Sequence, residues 1–329
     1  MRVLSGIQPS GAIHLGNYFG AVRQFLDLQE KYTCYFFIAS YHALTTERDP
    51  KTLRHNIFDV AASYLAFGLD PARSVLFDQA DLPEHHELAW ILSCVAPMGL
   101  LQRAHSFKDK VARGIEASHG LFAYPVLMAA DILMYDADLV PVGKDQKQHV
   151  EIARDLAIRF NNEFGDVLRV PKPYILEDTA VVPGVDGAKM SKSYGNTIDA
   201  FLEPKALKKR VMGIVTDSTP VEDPKDPETC TVFALYRLVA TEPEHQEMAA
   251  RYRAGGMGYG DAKKALLEKL EATFAPFRER KAELVSRPDD VWDVLVDGAA
   301  RARASARPRL EKVRSAVGFD RIPRAASAR

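Results

Sequence analysis

The sequence predicts an α/β protein: an open, doubly wound parallel sheet, followed by a part made of helices alone. Three observations predict it. Near-continuous apolar runs such as CYFFIA and SVLF fit strands buried on both faces of a parallel sheet. Strand-like and helix-like segments alternate as far as about Ala200. From about Glu203 only helical patterns remain. The expected division is therefore 1–200 for the sheet domain and 201–329 for the helical domain.

The elements follow in order. VLSGI is a short strand, and Gly6, Pro9, Ser10 and Gly11 build a turn after it. An amphipathic helix comes next, with Phe19, Val22, Phe25 and Leu26 on one face. CYFFIASYHAL is the second strand. DPKTLRHNIFDVAASYLAFGL is a helix that starts at Asp49 and Pro50 and stops at Gly68. SVLFDQA is a third strand and HHELAWILSCVA a helix, and His85 and His86 are read as helix surface. YPVLMAADILMYDADLVPVGKDQKQHVEIARDLAIRF reads as helix, strand, loop and helix. Helical patterns then cover PKALKKRVMGIV, CTVFALYRLVA, DAKKALLEKLEATFAPFRERKAELV and VWDVLVDGAARARASARPRLEKVRSAVG, interrupted early by the acidic loop TDSTPVEDPKDPET.

Composition narrows the class. Apolar residues make up 47% and charged residues 26% of the 329, ordinary values for a globular protein of two domains. No run approaches the ~20 apolar residues of a membrane span. The start, MRVLSGIQPSG, lacks a basic region followed by an apolar one, so no signal peptide is expected. Cys34, Cys94 and Cys230 form no CxxC pair, which fits a reducing, cytoplasmic compartment and argues against structural zinc. Total charge is −1, unevenly spread. From Arg301 on, nine basic residues face two acidic ones, giving +7 and leaving −8 elsewhere. Such a tail suits an anionic partner, or is simply a solvated helix with a frayed end.

Two stretches carry chemistry. Neither GxxxxGK[ST] nor GxGxxG follows the first strand, which leads instead into SGIQPSGAIHLGN. Gly16 would let a ligand approach the backbone, and the free amides of a helix start suit phosphate. His14 and Asn17, three residues apart, share a face and could donate hydrogen bonds together. Taken alone, HLGN is equally a plain turn with a capping histidine. The second stretch, GVDGAKMSKSYGN, sets Lys189 and Lys192 around small serines between glycines, forming a cationic clamp for a phosphate undergoing transfer. Alone it could be an exposed basic loop. Both together, at opposite ends of one sheet domain, make coincidence a poor account.

HLGN and KMSKS together resemble the two signature motifs of class I aminoacyl-tRNA synthetases. SGIQPSGAIHLGNYFGAV, YPVLMAADILMYDADLVPVGKDQKQHVEIARDLA and AKMSKSYGN are similar to the bacterial tryptophanyl branch of that family, and the likeness runs to about Arg321. It implies a Rossmann-like catalytic domain and a helical domain that reads the anticodon. The implied activity is tryptophan–tRNA ligation, with Mg·ATP, L-tryptophan and tRNA(Trp) as substrates, no dedicated protein metal site and a homodimeric state. The tyrosyl branch shares the fold and is the nearest alternative. A non-charging paralogue and a small-molecule adenylyltransferase are others.

Asp131 stands in the otherwise apolar VLMAADILMY, on one helical face with Tyr124, Met128 and Tyr135. By its pattern it either reaches solvent or a backbone amide, or accepts the single N–H of an indole. The resemblance implies the second role, with Met128, Tyr124, Val140, Val142, Gln146, Leu4 and Gly6 completing the pocket. Leu4 replaces an aromatic residue often found there, and Ser40 stands where an acid is frequent. For ATP the resemblance implies Gln8, Pro9, Ser10, Gly16 and Asn17 around adenine, ribose and phosphate. It adds Gly143, Lys144 and Asp145 at the ribose, Val181 or Val182 over the adenine, and Lys110 on the triphosphate. Lys189, Met190, Ser191, Lys192 and Ser193 would hold the phosphates. Lys189, Lys192, His14 and Asn17 would be the catalytic set, without a protein nucleophile.

Overall fold

A computed structural model describes residues 1–104, 114, 118–143, 146–175 and 181–320. Its strands are β1 (Arg2–Ile7), β2 (Thr33–Ile38), β3 (Val75–Asp78), β4 (Val140–Val142) and β5 (Pro173–Ile175). β1, β2 and β3 pair in parallel in that order, and β4 pairs in parallel with β5. A parallel bridge between Val3 and Leu139 joins the two groups, with the Leu4 amide donating to the Leu139 carbonyl at 3.1 Å. The resulting order is β3-β2-β1-β4-β5, so the chain reverses direction across the sheet between β1 and β4. In doubly wound sheets the crevice at such a reversal, outside the carboxyl ends of the strands, is where ligands bind.

The apolar runs are continuous because alternate side chains feed two separate cores. Val3, Cys34, Phe36, Ile38 and Leu76 belong to one buried cluster, while Leu4, Tyr35, Phe37, Val75 and Phe77 belong to the other. A period of two with both faces covered leaves few polar positions along a strand, and the buried Ser5 of β1 donates to the Pro141 carbonyl. Helix Pro50–Phe67 covers the first face together with much of the helical part, including Leu207, Phe233, Leu266 and Phe274. Helices Glu84–Val95, His119–Met134 and Lys147–Phe164 cover the second.

The local signals explain the helix ends. Asp49 caps Pro50–Phe67 by accepting from the Thr52 amide at 2.8 Å, and Gly68 ends it at φ 108°. After HLGN a π-helical turn, Tyr18–Val22, interrupts the expected first helix and buries Tyr18 and Val22 before Arg23–Gln29 resumes. Helix Glu242–Ala254 is an addition to the elements expected from the sequence. Its signal was present: Thr241 and Glu244 form a capping box around Pro243.

The last helix, Pro288–Ala316, crosses the sheet's edge. Val291 and Leu295 lie in the first core, whereas Ala299, Ala302, Ala306, Leu310 and Val313 lie in the second. At the crossing point Gly298 sits against β3, and a Cβ there would lie 1.7 Å from the Leu76 carbonyl oxygen. The helix therefore shields the exposed edge of β3.

Gly298→Ala should lower stability by roughly 2 kcal/mol, overpacking outweighing the better helix propensity of alanine. Gly260→Ala, where an added Cβ meets open space, is the control and should be close to neutral. Coincident urea-unfolding midpoints for the two variants would contradict so close a contact with β3.

Candidate active site

β1 ends at Ile7 and delivers the QPSGAIHLGN turn to the crevice. His14 caps the short helix Leu15–Asn17 reciprocally. Its Nδ1 accepts from the Asn17 amide at 3.3 Å, and the Asn17 side-chain oxygen accepts from the His14 amide at 3.2 Å. Burial, reinforced by the Lys192 charge, pulls the imidazole pKa down to about 4, so the ring is neutral near pH 7. With Nδ1 used as acceptor, these hydrogen bonds assign the proton to Nε2. The Asn17 oxygen being engaged, its amide N–H groups are what remain to offer. Gly16 has a steric reason to be glycine: an added Cβ would lie 2.9 Å from the His14 ring and 3.4 Å from the Met190 Cβ.

The KMSKS segment meets this turn directly. Residues following it pair with the start of HLGN and the residue before it: the Leu15 amide donates to the Ile198 carbonyl at 2.9 Å, and the Ala200 amide to the Ile13 carbonyl at 3.0 Å. Met190 is buried with its Sδ 3.3 Å from the Gly16 nitrogen. Lys192 reaches across and donates to the carbonyls of Ser10, at 3.0 Å, and Gly11, at 2.9 Å. Burial of its ammonium lowers its pKa, only partly offset by Asp199 and Asp59. Lys189 is exposed at the rim.

Internal bracing gives this polar loop its shape. The Asn196 side chain is buried, accepts from the Ser191 amide at 2.8 Å, and donates to Asp186 at 2.8 Å and the Lys189 carbonyl at 3.1 Å. A Cβ on Gly184 would stand 2.3 Å from the Asn196 amide nitrogen. Arg210, from helix Pro204–Met212, clamps the trailing end through the carbonyls of Thr197, at 2.7 Å, and Gly195. Val182 is buried beneath the loop and Val181 exposed beside it.

The second core forms the other end of the crevice. Leu4, Val140 and Val142 lie in it, with Met128 packed against it. Gly6 makes room for the buried Phe37 ring, since a Cβ would come within 2.5 Å of it. Tyr124 contacts His149 Nε2 at 3.0 Å, Gly143 follows β4, and Gln146 precedes helix Lys147–Phe164. Asp131 is 1% exposed and lies deep in helix His119–Met134. Its Oδ1 accepts from Gln79 Nε2 at 2.8 Å and lies 2.5 Å from His85 Nδ1, and its Oδ2 lies 2.8 Å from His42 Nε2. Burial alone would raise its pKa, but the His42 and His85 hydrogen bonds outweigh it and hold the carboxyl below the usual range.

One sequence expectation changes. His85 is not helix surface: it is 0% exposed and bonds Asp131 and the Tyr135 hydroxyl. His86 is the exposed one of the pair, its ring edge-on to Tyr41. Beside Ser40, the end of β3 carries an acid: Asp78 accepts the Ser40 hydroxyl, and burial pushes its carboxyl up to about 6. Gln79, His42 and His85 were not foreseen as partners of Asp131, nor Tyr135 as the partner of His85. Lys110, Lys144 and Asp145 lie outside the described residues.

The chain thus sets the HLGN turn against the KMSKS segment and its Lys192 ammonium, and places one buried carboxylate in the second apolar core. Known proteins with this combination can be compared directly. The family model for class I tRNA synthetases (W and Y) matches residues 1–275. The tryptophan–tRNA ligase of Campylobacter jejuni is 52% identical over 97% of this chain and 100% of its own length. That of Rhodopirellula baltica is 54% identical over the same shares. The crystal structure of the Campylobacter jejuni tryptophanyl-tRNA synthetase complexed with ADP and tryptophan superposes with a TM-score of 0.93, covering 97% of this chain and 100% of that one. A family match over most of the chain, joined to a shared architecture, leaves one conclusion: the protein belongs to the class I tRNA synthetases of the tryptophan and tyrosine group.

Proposed function

We propose that this protein is a tryptophan–tRNA ligase. It joins L-tryptophan to ATP to give tryptophanyl-adenylate and pyrophosphate, then transfers the tryptophanyl group to the terminal ribose of tRNA(Trp). The single observation that carries this is the meeting of Lys192 with the Ser10–Gly11 carbonyls beside the His14–Asn17 helix start. The Lys192 ammonium and the neutral His14 imidazole lie at the same turn, an arrangement suited to a triphosphate.

In the first step a tryptophan carboxylate oxygen attacks the α-phosphorus, and the bond to pyrophosphate breaks. ATP enters as its magnesium complex. Gln8, Pro9, Ser10, Gly16 and Asn17 hold the nucleotide on one side, Val181, Val182 and Met190 through Ser193 on the other, and Gly143 meets the ribose. Two carbonyls are weak neutral acceptors beside a phosphate, so Lys192 exchanges them for the charge developing on the transferred group. Lys189 acts with it from the rim. The enzyme orients reactants and stabilises charge, without forming a covalent intermediate of its own.

At the other end Asp131 accepts the indole N–H, while Met128, Leu4, Val140 and Val142 pack the ring and Tyr124 and Gln146 face the amino acid. An indole offers one donor and no acceptor, which suits a carboxylate held ionised in an apolar pocket. The helical part, residues 201–329, reads the tRNA, and two copies of the chain form the working enzyme.

Amino-acid-dependent ATP–pyrophosphate exchange, followed by tRNA charging, tests the assignment. Tryptophan but not tyrosine should support exchange, and tRNA(Trp) should be charged. Exchange without charging would replace the ligase by a tryptophan-activating paralogue. Lys192→Ala should slow adenylate formation in pre-steady-state measurements by roughly 10²–10³, the scale of one lost preorganised donor; a wild-type rate would remove Lys192 from the transition state. Asp131→Asn should raise the Michaelis constant for tryptophan by about tenfold or more and leave that for ATP nearly unchanged. Equal movement of both constants would make Asp131 structural.

A further inference from the structure

We propose that His85, held from behind by Tyr135, is the positioning residue that leaves Asp131 a single free lone pair for its substrate, and so sets selection for a side chain bearing an N–H. This rests on the assignment of Asp131 as the indole acceptor. An ionised carboxylate only accepts, and it has about four lone-pair sites. Gln79 and His85 occupy both sites of Oδ1, and His42 occupies one of Oδ2. Among the described donors no fourth reaches the carboxylate, so one site on Oδ2 remains.

The tautomer follows from the same logic. Facing an acceptor-only oxygen, His85 Nδ1 must carry a proton. In a neutral ring Nε2 then accepts, and the Tyr135 hydroxyl 2.8 Å away donates to it. The chain of donors runs Tyr135 O–H to His85, and His85 N–H to Asp131, through side chains that are each 0–1% exposed. Phe37 and Phe77 lie against the His85 ring at 6.4 and 6.2 Å between centroids, and Tyr135 stacks on Tyr35 at 5.1 Å. With its rotamer fixed on three sides, His85 cannot turn away. The carboxylate plane is thereby fixed as well.

Selection follows from what is left unpaired. A substrate with an N–H at the ring position fills the last site. An isostere without it, such as β-(benzothiophen-3-yl)alanine, leaves a buried charged acceptor short of a partner, and sites built in this way reject such analogues strongly. Without His85 the carboxylate can rotate and rebond, so the vacancy ceases to be penalised.

The test compares His85→Leu, His85→Gln and Asp131→Asn in ATP–pyrophosphate exchange, with tryptophan and with the benzothienyl analogue. His85→Leu should raise the Michaelis constant for tryptophan about tenfold, far more than it lowers kcat, and cut the tryptophan-over-analogue preference about tenfold. His85→Gln, whose amide can donate to Asp131 and accept from Tyr135, should restore most of that preference, which a purely packing role would not predict. Should His85→Leu fail to fold, the comparison of His85→Gln with wild type, joined to Tyr135→Phe, decides: the preference must fall modestly in both. An unchanged preference in the His85 variants alongside a collapsed one in Asp131→Asn would overturn this inference alone. A preference unchanged in all of them would overturn the indole assignment of Asp131 with it.

Discussion

One contact organises the catalytic crevice: the Lys192 ammonium on the carbonyls of Ser10 and Gly11. It joins chain segments 182 and 181 residues apart, and no single element of the fold contains both. The antiparallel exchange between 13–15 and 198–200 sets the distance, and Asn196 and Arg210 set the loop's shape. The lysine itself contributes little stability, because neutral acceptors give an ammonium only a modest net hydrogen bond. That weakness suits its position. A cation locked in a buried ion pair would lose several kcal/mol on leaving its partner for substrate, whereas this one can be released cheaply.

Much of this was legible in the sequence for physical reasons. A parallel sheet covered on both faces leaves continuous apolar runs, and β2 and β3 have no alternative reading of comparable simplicity. The start and stop at Asp49, Pro50 and Gly68 follow from capping chemistry that depends on a few neighbouring residues. HLGN and KMSKS were visible as motifs, but only their juxtaposition gives them meaning, and that rests on pairings between residues nearly two hundred positions apart. Chain-local rules cannot supply it.

Asp131 and His85 mark where local reading stopped. The carboxylate was visibly anomalous in an apolar helix, yet its partners come from the ends of β2 and β3 and from the first turn of the next helix. A periodic signal was nevertheless present. His85 falls three residues before Leu88, on the stripe that continues through Ile91 and Leu92 and is buried throughout. Taking the adjacent His85 and His86 together as surface hid it, because neighbouring residues on a helix point 100° apart. Ser40 teaches a related point. Ser40 donates its hydroxyl to Asp78 at the end of the next strand, a contact that position-by-position comparison cannot report.

The basic carboxyl-terminal stretch shows how a charge count can be correct and its inference incomplete. Four of its described arginines find acidic or carbonyl partners on the sheet domain: Arg303 with Glu84 at 3.0 Å, Arg314 with Glu87, Arg309 with Asp136, and Arg301 with the Pro71 carbonyl at 2.5 Å. Among the described residues, part of the +7 is thus answered by Glu84, Glu87 and Asp136, which belong to the −8 carried elsewhere. These pairs are not what holds the helix. Partly exposed ion pairs contribute about 0–1 kcal/mol each, whereas burying Leu310 and Val313 alone contributes about 1.5–3 kcal/mol apiece. The apolar stripe supplies the adhesion, with alanines at 299, 302 and 306 where the helix runs closest to its neighbours and glycine at 298 where it touches strand backbone. The arginines then fix which turn of the helix faces which acid. Small residues at the contact and long cations at its border are a single solution to packing a helix across the edge of a parallel sheet, and only the second half of it registers in a charge count.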